Sequence, residues 1–496
     1  MKDLQNQKQY KFMPFNFMRL NGNTLITNMG GDFLILPSDT FDRFVNYNIY
    51  PTESIYLDLK AKYFIYNGSP DLPTRLLATQ YRTKKSFLRD FTALHMVVVT
   101  VRCNQKCKYC QVSSEHADVS KFDMTTETAK KCVDLIFRTP SQYIKIEFQG
   151  GEPLLNFDAV KYIVEYAEEQ NHKYNKSLEF VICTNLTSVN DEQLAFCKIH
   201  NMYISTSLDG PAEIHNQNRL MENKCGSHQE VIKGLQKAQS LLGQDKISAL
   251  MTTTRTSLGR FPEIVDEYLS LGFNTIFFRS LNPYGMANKH EKMLGYSTQE
   301  FVESYCEGLD YIIELNLKGT LFIEQYASLI LRRMLTPFAT GFVDLQSPTG
   351  AGIGGVIYDY NGNVFVADEG RMLARKGDMQ FLMGHVDDGY KSLFGGDTIR
   401  QTVASSCVEC PPQCCNCGFQ IWCGADPVRN YTTQGDLIGY RPTNEFCQKN
   451  MAQMKYVLEK IHNASDEVLD VIWSWITGTH ISLNNLSGAA ENKCED

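Results

Sequence analysis

Cys103, Cys107 and Cys110 fall within eight residues, in "VRCNQKCKYCQ". Three thiolates on one short loop cannot fill a tetrahedral zinc site. They can hold three irons of a four-iron cluster, which leaves the fourth iron open to a ligand from outside the chain. A zinc knuckle completed by His95 or His116 is the alternative these residue types allow.

Six more cysteines, Cys407, Cys410, Cys414, Cys415, Cys417 and Cys423, crowd seventeen residues, and Cys447 follows at a distance. That stretch has little regular apolar pattern, so metal crosslinks are expected to hold it together. Of the 16 cysteines, Cys132, Cys197 and Cys183 lie on predicted helix faces or at a strand end and read as core packing. "FQGGEPLL" carries Gly150 and Gly151, which permit a sharp turn. Next to them stands Glu152, whose carboxylate can accept a hydrogen bond from an ammonium; an ordinary turn is the other reading.

The elements that must position these residues follow from the pattern. "LHMVVVTV", "YIKIEFQ", "LEFVICT", "MYISTSL", "KISALMTT" and "NTIFFRS" read as strands. Helical periodicity fills 125–138, 157–170, 191–200, 228–242, 261–271 and 298–317. Six strands alternating with six helices predict a parallel α/β sheet, open or partly closed, short of the eight units of a full barrel. The triple-cysteine loop follows the first strand at once, at the carboxyl end where such folds place their sites.

Before this, "NTLITNM" and "GDFLILP" predict a hairpin across Gly30-Gly31, then a helix capped by Ser38/Asp39 and another over 51–66. After about 335 come a hairpin turning at Asn361-Gly362, the cysteine-rich stretch, and an amphipathic helix with Val468, Leu469, Ile472, Trp473 and Ile476 on one side.

At 496 residues, 43% hydrophobic and 21% charged, the chain is expected to form two or three globular domains. No apolar run suits a membrane span and no signal peptide leads, so a cytoplasmic protein without membrane attachment is expected. A net charge of −8 argues against a nucleic-acid partner.

Cys103-x3-Cys107-x2-Cys110 with aromatic Tyr109, placed after the first strand of such a domain, resembles the signature loop of the radical S-adenosylmethionine (SAM) enzymes. The resemblance implies a partial (β/α)6 barrel in which these cysteines hold a [4Fe–4S] cluster whose open iron chelates SAM. It further implies reductive cleavage of SAM to a 5′-deoxyadenosyl radical that abstracts hydrogen from substrate. By the same analogy Gly150, Gly151 and Glu152 belong to the motif for the SAM amino group. Asn185 in "CTN", with Ser207 and Arg219 in "STSLDGP…HNQNR", contact its other polar groups.

Cys414-x2-Cys417-x5-Cys423 followed by Cys447 resembles the SPASM extension, whose outer auxiliary cluster takes four thiolates; a four-thiolate zinc site is the alternative. The chain departs from that family at the inner cluster. Ala367 stands where a hairpin cysteine is usual, "TGAGIG" has none before the hairpin, and Pro427 replaces the cysteine expected after a three-residue gap beyond Cys423. Cys407, Cys410 and Cys415 are extras that either build a different second cluster or exchange roles with Cys414.

The layout, through "FMPFNFMRL", "LITNMGGDFLIL", "FRSLNPYGMA" and "CGADPVRNY", resembles the B component of the His-Xaa-Ser system, a radical SAM maturase. It implies modification of a ribosomally made precursor peptide, with a carbon–carbon or thioether crosslink as product and an electron donor as partner. The implied division is an N-terminal α+β (winged-helix-like) unit over 1–90 that captures a leader by strand addition, the barrel over 91–335, a SPASM-like domain over 336–465, and a C-terminal helix and tail over 466–496. A sulfatase-maturase-like formylglycine-forming enzyme and a zinc-stabilised binding scaffold are the competing readings.

Overall fold

The computed structural model describes residues 9–112 and 114–482. After a two-residue strand, Lys11–Phe12, come three antiparallel strands: β1 (Phe15–Leu20), β2 (Asn23–Asn28) and β3 (Phe33–Pro37), in that order across a small sheet. β1 was not foreseen. β2 is buried on both faces, with Leu25 in the main core and Ile26 in a separate core built with Phe41, Phe44 and Phe64. The next helix spans Ser38–Val45 with Pro37 as its cap residue and no side-chain cap bond, so the expected Ser38/Asp39 cap is absent. The second expected helix is shorter, Ser54–Ala61, and gives way to a two-residue strand, Ile65–Tyr66.

The central sheet has eight strands. In chain order they are β4 (Leu94–Thr100), β5 (Tyr143–Gly150), β6 (Ser177–Thr184), β7 (Tyr203–Ser207), β8 (Ile247–Leu250), β9 (Gly355–Tyr358), β10 (Asn363–Phe365) and β11 (Leu382–His385). Across the sheet the order is β8, β7, β6, β5, β4, β9, β10, β11. β4 to β8 are all parallel, each joined to the next by a segment containing a helix, as the alternation predicted. The helices start where capping chemistry allows. Asn190 and Ser297 form reciprocal capping boxes with Gln193 and Glu300, and Thr125 accepts from the Thr128 N–H. Ala129, Cys132, Val133 and Ile136 of helix Thr126–Ile136 are buried, as are Val160, Ile163, Val164 and Ala167 of helix Phe157–Tyr174.

Two departures concern the barrel's ends. The expected sixth strand is reduced to Thr275–Ile276, which pairs in parallel with Ile323–Glu324. Buried Glu324 accepts from the Phe278 N–H at 3.1 Å, which takes that donor out of any ladder and stops the strand. At the other end, β9 pairs in parallel with β4, Gly355 opposite Leu94, so the C-terminal hairpin extends the barrel sheet. The helix Asp466–Thr477 docks against the protein as expected, through a face rotated toward Val471, Ile472 and Trp475. The tail beyond 482, including Cys494, lies outside the described residues.

Candidate functional site

The carboxyl ends of the parallel strands open onto one cavity of about 580 Å³, lined by Cys103, Cys107 and Cys110 and by Gly150, Gly151, Asn185 and Ser207. The cysteine loop is fastened at its root and along its length. Arg102 donates to Asp123 at 2.7 and 2.8 Å and to the carbonyls of Ala117 and Leu155 at 2.6 Å, so all three guanidinium nitrogens are engaged. The Lys106 and Lys108 N–H groups donate to the carbonyls of Leu220 and Asn218. From below, the Met286 N–H donates to the Cys110 carbonyl at 2.8 Å. A side chain at Gly285 would meet the Gln111 carbonyl oxygen at 2.2 Å, so the close approach of "NPYGMA" requires that glycine.

Electrostatics in the cavity centre on a residue not foreseen in the sequence, Asp209. It is fully buried and accepts from Tyr109 Oη at 2.6 and 2.8 Å, from Arg219 Nε at 3.2 Å and from the Thr252 N–H at 3.1 Å. The Arg219 guanidinium lies 5.1 Å above the Tyr109 ring, with Nη1 4.0 Å from Cys107 Sγ. Burial pushes the Cys107 thiol up to about 12, against the pull of Arg219. Burial, then the neighbouring Cys107 and Glu152, raises Cys103 well above the ordinary thiol range. The "LDG" just past β7 carried the available signal for Asp209: an acidic residue before a glycine, beyond a strand's carboxyl end.

Glu152 is placed differently from its expected role. It is fully buried and does not line the cavity. Its oxygens accept from Thr184 Oγ1 at 2.6 Å and from the N–H groups of Asn185 and Leu154 at 2.8 and 3.1 Å. The carboxylate therefore ties the Gly-Gly-Glu-Pro turn to the end of β6, while burial raises its pKa. The cavity wall is left to glycine backbone. A side chain on Gly150 would lie 1.9 Å from the Thr100 carbonyl oxygen, and one on Gly151 2.0 Å from that of Arg102. Asn185 lines the cavity with its amide spent on Asn104 and Thr187, and Ser207 lines it beside Thr206.

Cys183 also departs from expectation. Cys132 and Cys197 are buried in the core, but Cys183 lines the cavity, its thiol 3.5 Å from Glu147. Neither expected histidine partner turns to the loop: His95 is buried against Tyr358 Oη, and the exposed His116 ring bonds Glu222.

The second crowd of cysteines divides. Cys414, Cys417, Cys423 and Cys447 lie close enough for their charges to act on one another, and burial pushes Cys417 up to about 11. Arg441 Nε donates to Cys414 Sγ at 3.0 Å. Cys407 and Cys410 instead sit with Glu409, Lys85 and Tyr81, and Cys415 is half-buried on the turn between Cys414 and Cys417. Around the inner-cluster position, Thr349, Gly350, Ala351 and Ala367 are cavity wall, and Asp426 caps the helix that Pro427 begins. These residues do not fit an inner cluster.

Among the described residues, no three His, Cys, Asp or Glu side chains stand close enough to hold a single metal ion. The loop does fit a larger inorganic body: its three thiols face one cavity, where buried Gln105 Nε2 and Thr206 Oγ1 lack any protein partner.

Residues 97–253 match the model of the radical SAM superfamily. A cysteine-type anaerobic sulfatase-maturating enzyme of Clostridium novyi is 30% identical over 383 residues, 72% of this chain and 95% of that one. An uncharacterized protein of Methanocaldococcus jannaschii is 32% identical over 192 residues, 38% of this chain and 63% of its own length. Among solved structures, native anSMEcpe with bound AdoMet and Cp18Cys peptide aligns at a TM-score of 0.62, with 17% identity over 75% of this chain and 98% of that one. Streptococcus suis SuiB bound to precursor peptide SuiA aligns at 0.52, with 12% identity over 89% of this chain and 100% of that one. These two likenesses are of fold.

Proposed function

Since the chain belongs to the radical SAM superfamily, we propose that it modifies a ribosomally made precursor peptide, forming a crosslink within it, as a maturase of the His-Xaa-Ser type. The observation that carries this reading is the triple-cysteine loop facing a cavity at the strand ends, with a peptide seated in two structures of like fold.

In this reading Cys103, Cys107 and Cys110 hold a [4Fe–4S] cluster, and Gly150, Gly151, Asn185, Ser207 and Arg219 face SAM. When bound, the pair supplies a 5′-deoxyadenosyl radical on reduction by an external electron donor. The chain's own part is to hold the loop rigid through Arg102 and Asp209 and to enclose the reacting space. Tyr109 and Arg219, fixed by Asp209, keep a positive charge beside Cys107, where thiolate character must be sustained. Cys414, Cys417, Cys423 and Cys447 hold an auxiliary cluster. Residues 1–90 take the leader peptide along the outer edge of β1, which among the described residues pairs with β2 alone. No helix among the described residues is long and apolar enough to cross a membrane, in keeping with a cytoplasmic enzyme.

A second reading, conversion of a sulfatase cysteine to formylglycine, is favoured by the 30% identity across nearly all of the Clostridium novyi maturase. One experiment tests both. Anaerobically reconstituted protein is incubated with SAM, reductant and either a genomically neighbouring precursor peptide or a sulfatase-derived cysteine peptide. Formation of 5′-deoxyadenosine with a ~2 Da loss from the precursor supports crosslinking, and an aldehyde on the sulfatase peptide supports the second reading. Absence of 5′-deoxyadenosine from cluster-loaded protein refutes both.

A further inference from the structure

A second cavity of about 460 Å³ opens off the first, and the two share Glu147, Leu250, Arg279, Phe342, Asp344 and Glu369 in their walls. Phe277, Tyr326 and Phe342 form one side of this chamber, their ring centroids 5.7 to 6.1 Å apart in tilted and edge-on contacts. A further ring would extend that packing.

Two amides on one face of helix Glu445–His462, Asn450 and Gln453, also line the chamber. They are 0% and 2% exposed. Asn450 Oδ1 accepts from Tyr326 Oη at 2.7 Å, and Nδ2 is left without a protein partner. Gln453 Oε1 is likewise unpartnered. A buried donor and a buried acceptor left unmet each cost about 1–3 kcal/mol, so a ligand that answers both is selected.

The two amides stand three residues apart on one helix, about 5–6 Å between Cβ atoms. One oxygen between them can accept from Nδ2 and donate to Oε1 at ordinary hydrogen-bond lengths. A phenol has that oxygen at the tip of a ring. Phenylalanine would fill the aromatic side but leave both amides unmet, indole can only donate, and the two nitrogens of imidazole point apart. A carboxamide could answer both amides but would leave the ring surface unused. Lys145, Arg279 and Lys449 are matched in the chamber's lining by Glu147, Asp344 and Glu369, so the lining offers no net formal charge to a charged side chain.

We propose that the chamber takes a tyrosine side chain of the substrate peptide and so selects the residue presented beside the reacting space. The proposal rests on the peptide-modifying reading above. Its test is binding to the full-length, cluster-loaded protein, with N-acetyl-tyrosinamide and N-acetyl-phenylalaninamide titrated separately by calorimetry or ligand-observed NMR. The tyrosine amide should bind on the order of tenfold tighter. Gln453→Met should remove most of that preference while leaving the phenylalanine amide's affinity in place. Gln453→Leu, which removes the acceptor with a different apolar shape, should do the same and serves if Gln453→Met does not fold. Equal affinity for the two amides, or a preference that survives both substitutions, overturns the proposal. Cleavage of SAM is measured on the same wild-type preparation. Its failure would count against the enzymatic reading, while the titrations would still decide the chamber's.

Discussion

Tyr109 and Asp209, 100 residues apart in the chain, meet with the tyrosine hydroxyl 2.6 and 2.8 Å from the two carboxylate oxygens. The contact joins the cysteine loop to the end of β7 and, through Arg219, holds a buried cation beside Cys107. Asp209→Ala would leave Arg219 buried without its carboxylate, and should cost about 3–5 kcal/mol. Tyr109→Phe removes one hydrogen-bond donor and should cost about 1 kcal/mol. Urea unfolding of both variants checks the order, and equal losses would show that Asp209 does not pair Arg219 in solution.

Glu152 supplies a second case. Replacing it with Gln puts an amide NH₂ where one oxygen now accepts from Thr184, Asn185 or Leu154. The expected loss is about 1–3 kcal/mol in cluster-free protein. A stability change in the absence of any cofactor separates bracing by Glu152 from a role confined to ligand binding.

Acid should weaken the fold below the ordinary histidine range. Burial holds His95 down to about 3, and burial followed by the charge of Arg219 holds His215 down to about 2, against 6.5 when free. The unfolded chain therefore takes up protons that the folded chain refuses. Stability is lost as pH falls from about 6.5 toward those values, by about 2 kcal/mol for each histidine at pH 5. Denaturant midpoints at pH 7 and pH 5 check this, and His95→Gln should reduce the drop.

Glu369, on the cavity wall, gives the opposite slope. Burial, then the charges of Asp426, Asp368 and Asp344, raises it to about 8 from 4.5. The unfolded chain releases this proton first, so its contribution to stability is full below pH 4.5 and lost as pH rises to about 8. Glu369→Gln should therefore raise the melting temperature relative to wild type by more at pH 8 than at pH 5, with a gain of about 1–2 kcal/mol once cavity solvent is allowed for. A gain independent of pH would exclude titration of Glu369 as its source.

The divided cysteine crowd predicts divided effects on iron. Cys423→Ala should lower the iron content by about four per chain. Cys410→Ala, on the Glu409 side, should leave it unchanged. Iron and sulfide analysis of the two variants checks both, and equal losses would place Cys410 in the same cluster as Cys423.

Much of this architecture was legible because its signals are local. The strands β4 to β8 and their helices follow from apolar periodicity, whereas the cap read at Ser38/Asp39 is not made. What escaped depends on partners distant in sequence. The inward turn of Glu152 is decided by donors arriving from Thr184 and Asn185 on the neighbouring strand. The sixth strand is cut short by Glu324, which takes the Phe278 N–H. Cys183 alternates with core residues along β6, yet its side of the strand faces the cavity. The pairing of β9 with β4 joins segments more than 250 residues apart, for which no short-range pattern exists.

The double burial of β2 bears on protein engineering. Leu25 packs into the main core and Ile26 into the amino-terminal one, while Thr27 Oγ1 donates to the Gly418 carbonyl at 2.9 Å and Lys85 pairs with Glu409 at 2.6 Å. The amino-terminal segment is thus a keystone of the cysteine-rich end. A chimera that replaces the β1–β3 sheet with that of a relative would have to carry the matching 407–422 surface with it, or it would leave a hydrophobic scar where β2 had been.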